Sequence, residues 1–304
     1  MVNLYVGITD YDWFRFLSTL SGVDEVNFWQ PGGRTNFQAL RQGELFLFKL
    51  HAPRNSIVGG GVFARADILP TSLAWEAFGV SNGAPSLAEM RRRIAFYRSN
   101  PDDPRQDYSI GCRVLTQPFF FGEDQWIPIP SSWSRHIQQG RTYDAGEGDG
   151  RLLWEAVMDR SIIREQPAVT SPRYAEPILI RPRLGQGAFR VSITSVYQHR
   201  CAVTGERTLP ILDAAHIRPY DQGGEHDVTN GLLLRTDIHR LFDKGYVTVS
   251  SDGHFEVGQR LKEEFENGRP YYSMHGQSVS LPRDPGSRPS REALEWHQTN
   301  RFLG

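Results

Sequence analysis

The residues best suited to chemistry lie in one stretch, residues 213–243, which reads DAAHIRPYDQGGEHDVTNGLLLRTDIHRLFD. His216 falls in the strand-like run 211–217, and a neutral imidazole there could take a proton from water near neutral pH. His239 and Asp243 are four residues apart in a segment of helical character, so both side chains leave the same face of a helix. Imidazole nitrogen and carboxylate oxygen together suit Mg2+, Mn2+ or a transition-metal ion. Such an ion would stabilise the charge that develops on a phosphodiester.

Three elements must position these side chains. A strand carries His216, a turn rich in Gly and Asp reverses the chain, and Asn230 opens the apolar run GLLL that leads to the helix of His239. Taken singly, each residue also fits an ordinary structural role, but their order and spacing together favour a site. His226 could lie near the site in the Gly-rich turn, although a surface or packing role is its simpler interpretation.

The phrases AAHIRPY, GGEHDVTNGLLL and DIHRLFDKG resemble the HNH endonucleases, whose fold is a β-hairpin, a helix and one metal ion. The resemblance runs from about Gly185 to the C-terminus, through CAVTGE, LKEEFENGRPYY and LEWH. It implies a ββα-metal domain with catalytic His216, Asn230 and His239, in which Asn230 holds the loop by hydrogen bonds to the backbone. Hydrolysis would leave 5′-phosphate and 3′-hydroxyl ends.

The resemblance also implies one divalent metal ion, Mg2+ or Mn2+, with Ni2+ or Co2+ as alternatives. His239 and Asp243 are the expected ligands. Many family members carry an Asp directly before the first His, but here that position is Ala215. Asp213 is the nearest carboxylate and is a further candidate ligand. Some relatives hold a structural zinc in paired CxxC motifs; this region has only Cys201, so we expect no structural zinc.

Arginines accompany the site. No acidic residue occurs between Glu176 and Glu206, and this strip holds Arg181, Arg183, Arg190 and Arg200 with Phe189 and Tyr197 interleaved. Arg181 and Arg183 could equally solubilise a linker, and Arg240 could be a plain surface residue beside His239. The residues expected to contact DNA phosphate are Arg190, Arg218, Arg235 and Arg240.

The first half of the chain, up to about Tyr143, is rich in Trp, Phe and Gly and contains short apolar runs. LYVGI, GELFLFKL, SIVGGGVF, IGCRVL and QWIPI predict strands, and YDWFRFLSTL predicts a first helix. SLAEMRRRIAFYR predicts a helix capped by Ser86, with Leu87, Met90, Ile94 and Tyr97 on one face. RLLWEAVMDRSIIRE predicts a connecting helix, and the Pro- and Gly-containing segment after it predicts a linker. Short strands with a few helices favour a compact α+β barrel.

The order of Trp29, Asn36-Phe37, LRQGELFLFKL and IVGGGVF is similar to the PUA-like superfamily, which includes EVE, ASCH and SRA-type domains. Its members are small β-barrels, several of which read a modified base in nucleic acid. A base read in this way is flipped out, stacked on aromatic rings and contacted along its pairing edge. An aromatic side chain in a small barrel more often packs in the core than lines a pocket for a base. The candidate pocket residues are Trp29, Phe28, Asn36, Trp13 and Asp10.

Composition limits the remaining classes. No run approaches the roughly 20 apolar residues of a membrane helix, and the N-terminus lacks the pattern of a signal peptide. Two distant cysteines, Cys112 and Cys201, favour a reducing cytoplasm over a disulfide framework. The net charge of −1 does not by itself indicate a nucleic-acid binder.

Together the two resemblances imply a modification-dependent, type IV-like restriction endonuclease. The expected organisation is a PUA-like reader over 1–145, a connecting helix and linker over 146–184, and an HNH domain over 185–304. The substrate would be double-stranded DNA with 5-methyl- or 5-hydroxymethylcytosine, cut by a homodimer because one chain has one nuclease site. Two alternatives stay open. The first half could read RNA, a DNA structure or a phosphorothioate backbone, or the site could be degenerate and only bind DNA.

Overall fold

The computed structural model describes residues 1–33, 37–98, 107–160 and 176–304. The chain divides into two compact units, Met1–Ala188 and Phe189–Gly304. Both units mix helices with strands, so the predicted α+β class is confirmed. Within the described ranges, no helix combines the length and the apolar character needed to cross a membrane.

The first unit is built on one seven-stranded sheet. Its strands are β1 (Asn3–Thr9), β2 (Glu25–Asn27), β3 (Leu45–Leu50), β4 (Ser56–Pro70), β5 (Ser109–Phe120), β6 (Ile127–Pro128) and β7 (Gly140–Asp144). Their order is β2-β5-β4-β3-β1-β7, with β6 paired to β4. β1 and β3 are parallel, and the other pairs are antiparallel. Among the described residues β2 and β7 end an open path, so the expected barrel is not closed.

Helices pack on both faces of this sheet. They are α1 (Tyr11–Ser18), α2 (Thr71–Phe78), α3 (Leu87–Tyr97) and α4 (Gly148–Arg160). Leu4 and Leu45 belong to an apolar cluster that α4 completes, whereas Tyr5 and Phe46 belong to an aromatic cluster that includes residues of α1. Successive side chains of a strand point to opposite faces, and here both faces are buried. Strands β1, β3, β4 and β5 are therefore apolar over most of their length, which explains their strong sequence signal. The edge strand β7 is polar and partly exposed and has no such signal.

Local sequence signals account for several of these elements. The Ser86 hydroxyl accepts a hydrogen bond of 3.2 Å from the Glu89 amide and so caps α3, as predicted. Met90 and Ile94 of that helix are fully buried, but Tyr97 at its end is 45% exposed. The predicted connecting helix corresponds to α4 as far as Arg160, and residues 161–165 lie outside the described residues.

The glycines of β4 allow close approach of neighbouring strands. A Cβ atom at Gly60 would lie 2.6 Å from the Phe46 carbonyl oxygen, which is too close for any other residue. The pairing of β4 with β5 also shifts register between Gly60 and Val62. The glycines therefore permit both a β-bulge and a close approach of the β3 backbone at this position.

The second unit contains a hairpin that runs directly into a helix. Its elements are β8 (Leu212–His216), β9 (Gly231–Arg235), α6 (Thr236–Asp243), β10 (Val247–Val249), β11 (Phe255–Val257), α7 (Arg260–Phe265), α8 (Arg269–Tyr272) and α9 (Arg291–Asn300). Helix α5 (Gln186–Val196) contains the division point between the units. Apolar residues of the hairpin and α6, among them Ala215, Leu233 and Phe242, form one core cluster with α5 and α9. This ββα arrangement is the fold that the motif predicts.

Candidate active site

The hairpin places the proposed base beside the amide-bearing loop residue. β8 and β9 are antiparallel, and His216 at the end of β8 pairs with Gly231 at the start of β9. Asn230 therefore lies one residue from the partner of His216. Helix α6 begins at Thr236, immediately after β9, so no loop separates the hairpin from the helix that carries His239.

Asn230 ties the two ends of the hairpin loop together. Its side-chain oxygen accepts from the Arg218 amide at 2.9 Å, and its Nδ2 donates to the carbonyls of Arg218 at 2.9 Å and Glu225 at 3.0 Å. Only 8% of the residue is exposed, so these bonds satisfy an amide that water could not reach. A Cβ atom at Gly224 would lie 2.8 Å from Nδ2, so a glycine there leaves room for this amide.

His216 is half-buried and held on two sides. Its ring stacks on Phe189 with centroids 3.9 Å apart and planes 12° apart. Its Nε2 lies 2.9 Å from Nδ1 of His226. Burial, and then the nearby His226 and His239, lower the pKa of His216 to about 4. The imidazole is therefore neutral at neutral pH, which is the form that a general base requires.

His239 on α6 faces carboxylates at both ring nitrogens. Its Nδ1 is 3.3 Å from an oxygen of Asp213 on β8, and its Nε2 is 3.4 Å from an oxygen of Asp243. The hydrogen bond from His239 opposes burial and lowers the pKa of Asp213. Ala215 is fully buried in the core, so a carboxylate at that position would point into apolar surroundings. Asp213, two residues earlier on the strand, reaches His239 instead.

His239, Asp213 and Asp243 have the right chemistry for one divalent ion, but only one of the two carboxylates can share that ion with His239. A ring nitrogen gives its lone pair to one ion, so His239 can share a single ion with Asp213 or with Asp243, but not with both. Within the described part of the chain, no three His, Cys, Asp or Glu side chains converge on one point. The protein would thus supply an imidazole and one carboxylate, and substrate oxygens and water would complete the shell, as is usual for Mg2+. The second carboxylate would then orient the imidazole from outside.

The four arginines expected to contact phosphate have different surroundings. Arg235 forms a two-point ion pair with Asp237 at 2.6 and 2.8 Å. Nε of Arg218 donates to the Gln222 carbonyl at 2.7 Å, and its guanidinium lies 5.4 Å from the Trp296 ring. Arg190 acts electrostatically on Asp213, and Arg240 is exposed beside His239. Arg235 therefore has a carboxylate partner that a phosphate would have to displace.

The candidate base-pocket residues of the first unit do not share one environment. Trp13 and Phe28 are only 4% and 6% exposed and pack in the aromatic core. Trp29 is partly exposed, and its indole nitrogen donates to the Asn82 carbonyl at 2.9 Å. Asp10 is partly exposed, 3.6 Å from His51. Asn36 lies outside the described residues. Among the four candidates that the structure describes, Trp29 and Asp10 are therefore the ones with side-chain surface open to a ligand.

Sequence reasoning missed two sets of contacts around these residues, although it did raise His226 as a residue that could lie near the site. Phe189 packs face to face on His216, and the His226 ring meets His216 in a T-shaped arrangement with the two nitrogens 2.9 Å apart. In the first unit, Arg113 is 5% exposed, with its guanidinium 4.6 Å from the Phe37 ring and hydrogen-bonded to Gln30. No motif indicates these contacts. The only available signal was the position of His226 in the same Gly-rich turn.

Comparison with known proteins agrees with the site. Residues 201–250 match a family described as HNH endonuclease, and this segment contains the whole hairpin and α6. A search of curated protein sequences found no match. Among solved structures, the chain is similar to one titled "Modification dependent TagI restriction endonuclease", with 12% identity and a TM-score of 0.29. That similarity covers 94% of this chain and 78% of the other. Together with the geometry described above, the family match shows that the protein is an enzyme with an HNH endonuclease domain. Members of this class depend on a divalent metal ion.

Proposed function

We propose that the protein is a modification-dependent restriction endonuclease that cuts double-stranded DNA carrying 5-methyl- or 5-hydroxymethylcytosine. The observation that carries the nuclease part is the ββα unit, in which a neutral His216 and the His239–Asp213 pair lie on one hairpin and helix. We retain the organisation in which 1–145 reads DNA, 146–184 connects, and 185–304 cuts.

In the proposed reaction His216 takes a proton from water, and the oxygen of that water attacks phosphorus as the bond to the 3′ oxygen breaks. The 3′ oxygen leaves with the bonding electron pair and takes a proton from solvent water. The ends produced are 5′-phosphate and 3′-hydroxyl. Asn230 keeps the hairpin loop in place so that His216 stays oriented. Arg190, Arg218, Arg235 and Arg240 are proposed to hold the phosphate, with Arg235 exchanging its Asp237 partner for the phosphate. A divalent ion held by His239 with Asp213 or Asp243, Mg2+ or Mn2+ in our proposal, would stabilise the negative charge on the phosphate and the leaving oxygen.

We assign the reading function to the first unit. Its core is rich in aromatic residues, in keeping with the PUA-like interpretation, although the described strands form an open sheet and not a closed barrel. Trp29 offers a partly exposed ring whose edge is fixed by Asn82. A flipped base needs such a rigid aromatic surface to stack on. We propose Trp29 as the central pocket residue, with Asp10 as a polar neighbour.

Two further proposals concern assembly and place of action. A chain with one HNH site cuts one strand per event, so we propose a homodimer for double-strand cleavage. Cys112 and Cys201 are both free and buried, and we propose that the protein acts in the cytoplasm.

The test is cleavage of one plasmid in four forms: unmodified, 5-methylcytosine, 5-hydroxymethylcytosine and glucosylated. Each form is incubated with Mg2+ and with Mn2+, using wild-type protein and His216→Ala. We expect the wild type to cut one or more modified forms and His216→Ala to bind DNA without cutting. Equal cutting of all forms would show that the protein does not select modified DNA. Full activity of His216→Ala would show that His216 is not the base.

A further inference from the structure

His226 lies beside Nε2 of His216, and this contact decides which ring nitrogen of the proposed base is free to accept a proton. It lies in the loop between β8 and β9, with its Nδ1 2.9 Å from His216 Nε2. It also stacks in parallel on Tyr220, with centroids 4.7 Å apart and planes 13° apart, and contacts the Phe189 ring at a centroid distance of 5.8 Å. The imidazole of His226 is thus held by two aromatic rings and by the base itself.

The backbone on either side of His226 is fixed as well. The Glu225 carbonyl accepts from Nδ2 of Asn230 at 3.0 Å. The Asp227 carboxylate accepts from the amide and the hydroxyl of Thr229 at 2.9 and 2.7 Å. The residues before and after His226 are thus anchored, so the backbone that carries its ring is held in place.

Elementary imidazole chemistry then limits the tautomers. A neutral imidazole has one N–H and one lone pair, and a general base must keep its lone pair free for water. Nε2 of His216 faces His226, so the lone pair that takes the proton from water has to be on Nδ1. The proton of His216 must then be on Nε2, where it donates to Nδ1 of His226. In the reverse arrangement His226 would donate, and His216 would have no free lone pair.

We propose that His226 is a positioning residue that holds His216 in the tautomer with its proton on Nε2. Phe189 fixes the plane of the His216 ring, and His226 fixes which nitrogen is available. This inference rests on the proposed role of His216 as the base. Metal sites use the same device when a second group orients a histidine, and removal of that group typically costs about 10- to 100-fold in activity.

Two variants of similar size separate an orienting role from packing. In His226→Asn the side-chain oxygen can accept the bond from His216, whereas His226→Leu fills the space without an acceptor. With enzyme in excess over plasmid, we expect His226→Leu to cut roughly 100-fold more slowly with unchanged DNA affinity. His226→Asn should stay within about 10-fold of the wild type. His136→Leu, an exposed histidine of the first unit, serves as the control and should cut like the wild type.

A second measurement reads the tautomer directly and needs no substrate. A long-range proton–nitrogen NMR spectrum of the full chain at neutral pH distinguishes an imidazole nitrogen that carries a proton from one that does not. We expect His216 to carry its proton on Nε2 in the wild type and in His226→Asn, and to lose this preference in His226→Leu. A wild-type His216 protonated on Nδ1 would overturn the inference even if every variant folds poorly.

The role of His216 as the base and the role of His226 in orienting it are tested by different variants. If His216→Ala cuts as fast as the wild type, the base assignment itself is wrong. If His216→Ala is inactive while His226→Leu cuts at the wild-type rate, the base stands and only the role of His226 is lost.

Discussion

At the scale of single residues, the central question is which carboxylate shares an ion with His239. Asp213 and Asp243 approach different ring nitrogens, at 3.3 and 3.4 Å. The Asp213 side chain is 35% exposed and lies on a strand, whereas that of Asp243 is 55% exposed at the last position of α6. A ligand on a paired strand is held more rigidly than one at a helix end, which frays.

We therefore expect Asp213→Asn to affect metal binding more than Asp243→Asn. Loss of a direct carboxylate ligand should weaken Mn2+ binding by at least about 10-fold, and loss of an outer orienting group by less. Calorimetric titration of each purified variant with Mn2+ measures this without any nuclease assay. A larger loss in Asp243→Asn would assign the ion to Nε2 and leave Asp213 as the orienting partner.

At the scale of elements, the hairpin loop depends on one amide. Asn230→Ala removes three hydrogen bonds and leaves the Arg218 amide without its partner. At about 1 kcal/mol for each bond, plus the cost of an unsatisfied group, the loss should be roughly 2–4 kcal/mol in the free energy of unfolding. Asn300→Ala removes one bond at the exposed end of α9 and should cost under about 0.5 kcal/mol.

Urea unfolding of the two asparagine variants provides the comparison. Equal midpoints for Asn230→Ala and Asn300→Ala would mean that the loop is held by its turns alone. The expected difference would instead support a structural task for Asn230, distinct from chemistry on the substrate.

The junction of α6, β10 and α9 should make stability depend on pH. His297 of α9 is 2% exposed, its Nε2 donates to the Phe242 carbonyl at 3.1 Å, and its Nδ1 accepts from Thr248 at 2.8 Å. Burial lowers the pKa of His297 to about 4 from an ordinary value of 6.5. Between these two values the unfolded chain binds the proton and the folded chain does not. Stability should therefore fall as pH decreases from about 6.5 to 4, by up to roughly 3 kcal/mol from this residue.

Thermal unfolding of wild type and His297→Gln at a series of pH values tests this dependence. The glutamine amide can still donate to the Phe242 carbonyl but has no proton to gain. We expect a flatter profile in the variant, with some slope remaining because the pKa of His216 is also lowered to about 4. Identical slopes would show that His297 takes up its proton in the folded protein at its ordinary pKa.

The same elements show what sequence patterns can and cannot predict. Strands β1, β3, β4 and β5 of the first unit were predictable because burial on both faces makes them apolar runs. Strands β2 and β7 were not, because β2 has only three residues and β7 (GRTYD) is polar and partly exposed. Helix α2 was not, since it begins directly after Pro70 and has no side-chain cap. His216, Asn230 and His239 were predictable from a local phrase. The contacts of His216 with Phe189 and His226 were not, because they depend on where a helix and a loop lie in the folded unit.

At the scale of the whole molecule, recognition and cleavage should be separable. Each unit has its own buried core, and the proposed reader and nuclease residues fall in different units. The net charge of −1 gives no general attraction to DNA, so selective binding has to come from local contacts. A substitution in the reader should then change which DNA is cut while leaving the catalytic step intact.

Trp29 is the residue at which this separation can be tested. Trp29→Ala removes the aromatic surface, and stacking of one base on an aromatic ring is worth roughly 1–3 kcal/mol. We expect its affinity for a duplex with 5-methylcytosine to fall by about 10-fold or more, towards its affinity for the unmodified duplex. Trp29→Phe keeps a ring but loses the bond to the Asn82 carbonyl, and should retain most of the preference.

Trp13 provides the matched control because its indole donates to the same Asn82 carbonyl, at 3.1 Å, from within the aromatic core. Trp13→Phe should lower stability without altering the ratio of the two affinities, since only 4% of Trp13 is exposed. Competition binding with modified and unmodified duplexes measures that ratio for all three variants. If Trp29→Ala keeps the wild-type ratio while still binding DNA, the base is read elsewhere in the first unit. A loss of the ratio in Trp13→Phe would mean that packing of the aromatic core, and not the Trp29 ring itself, sets the preference.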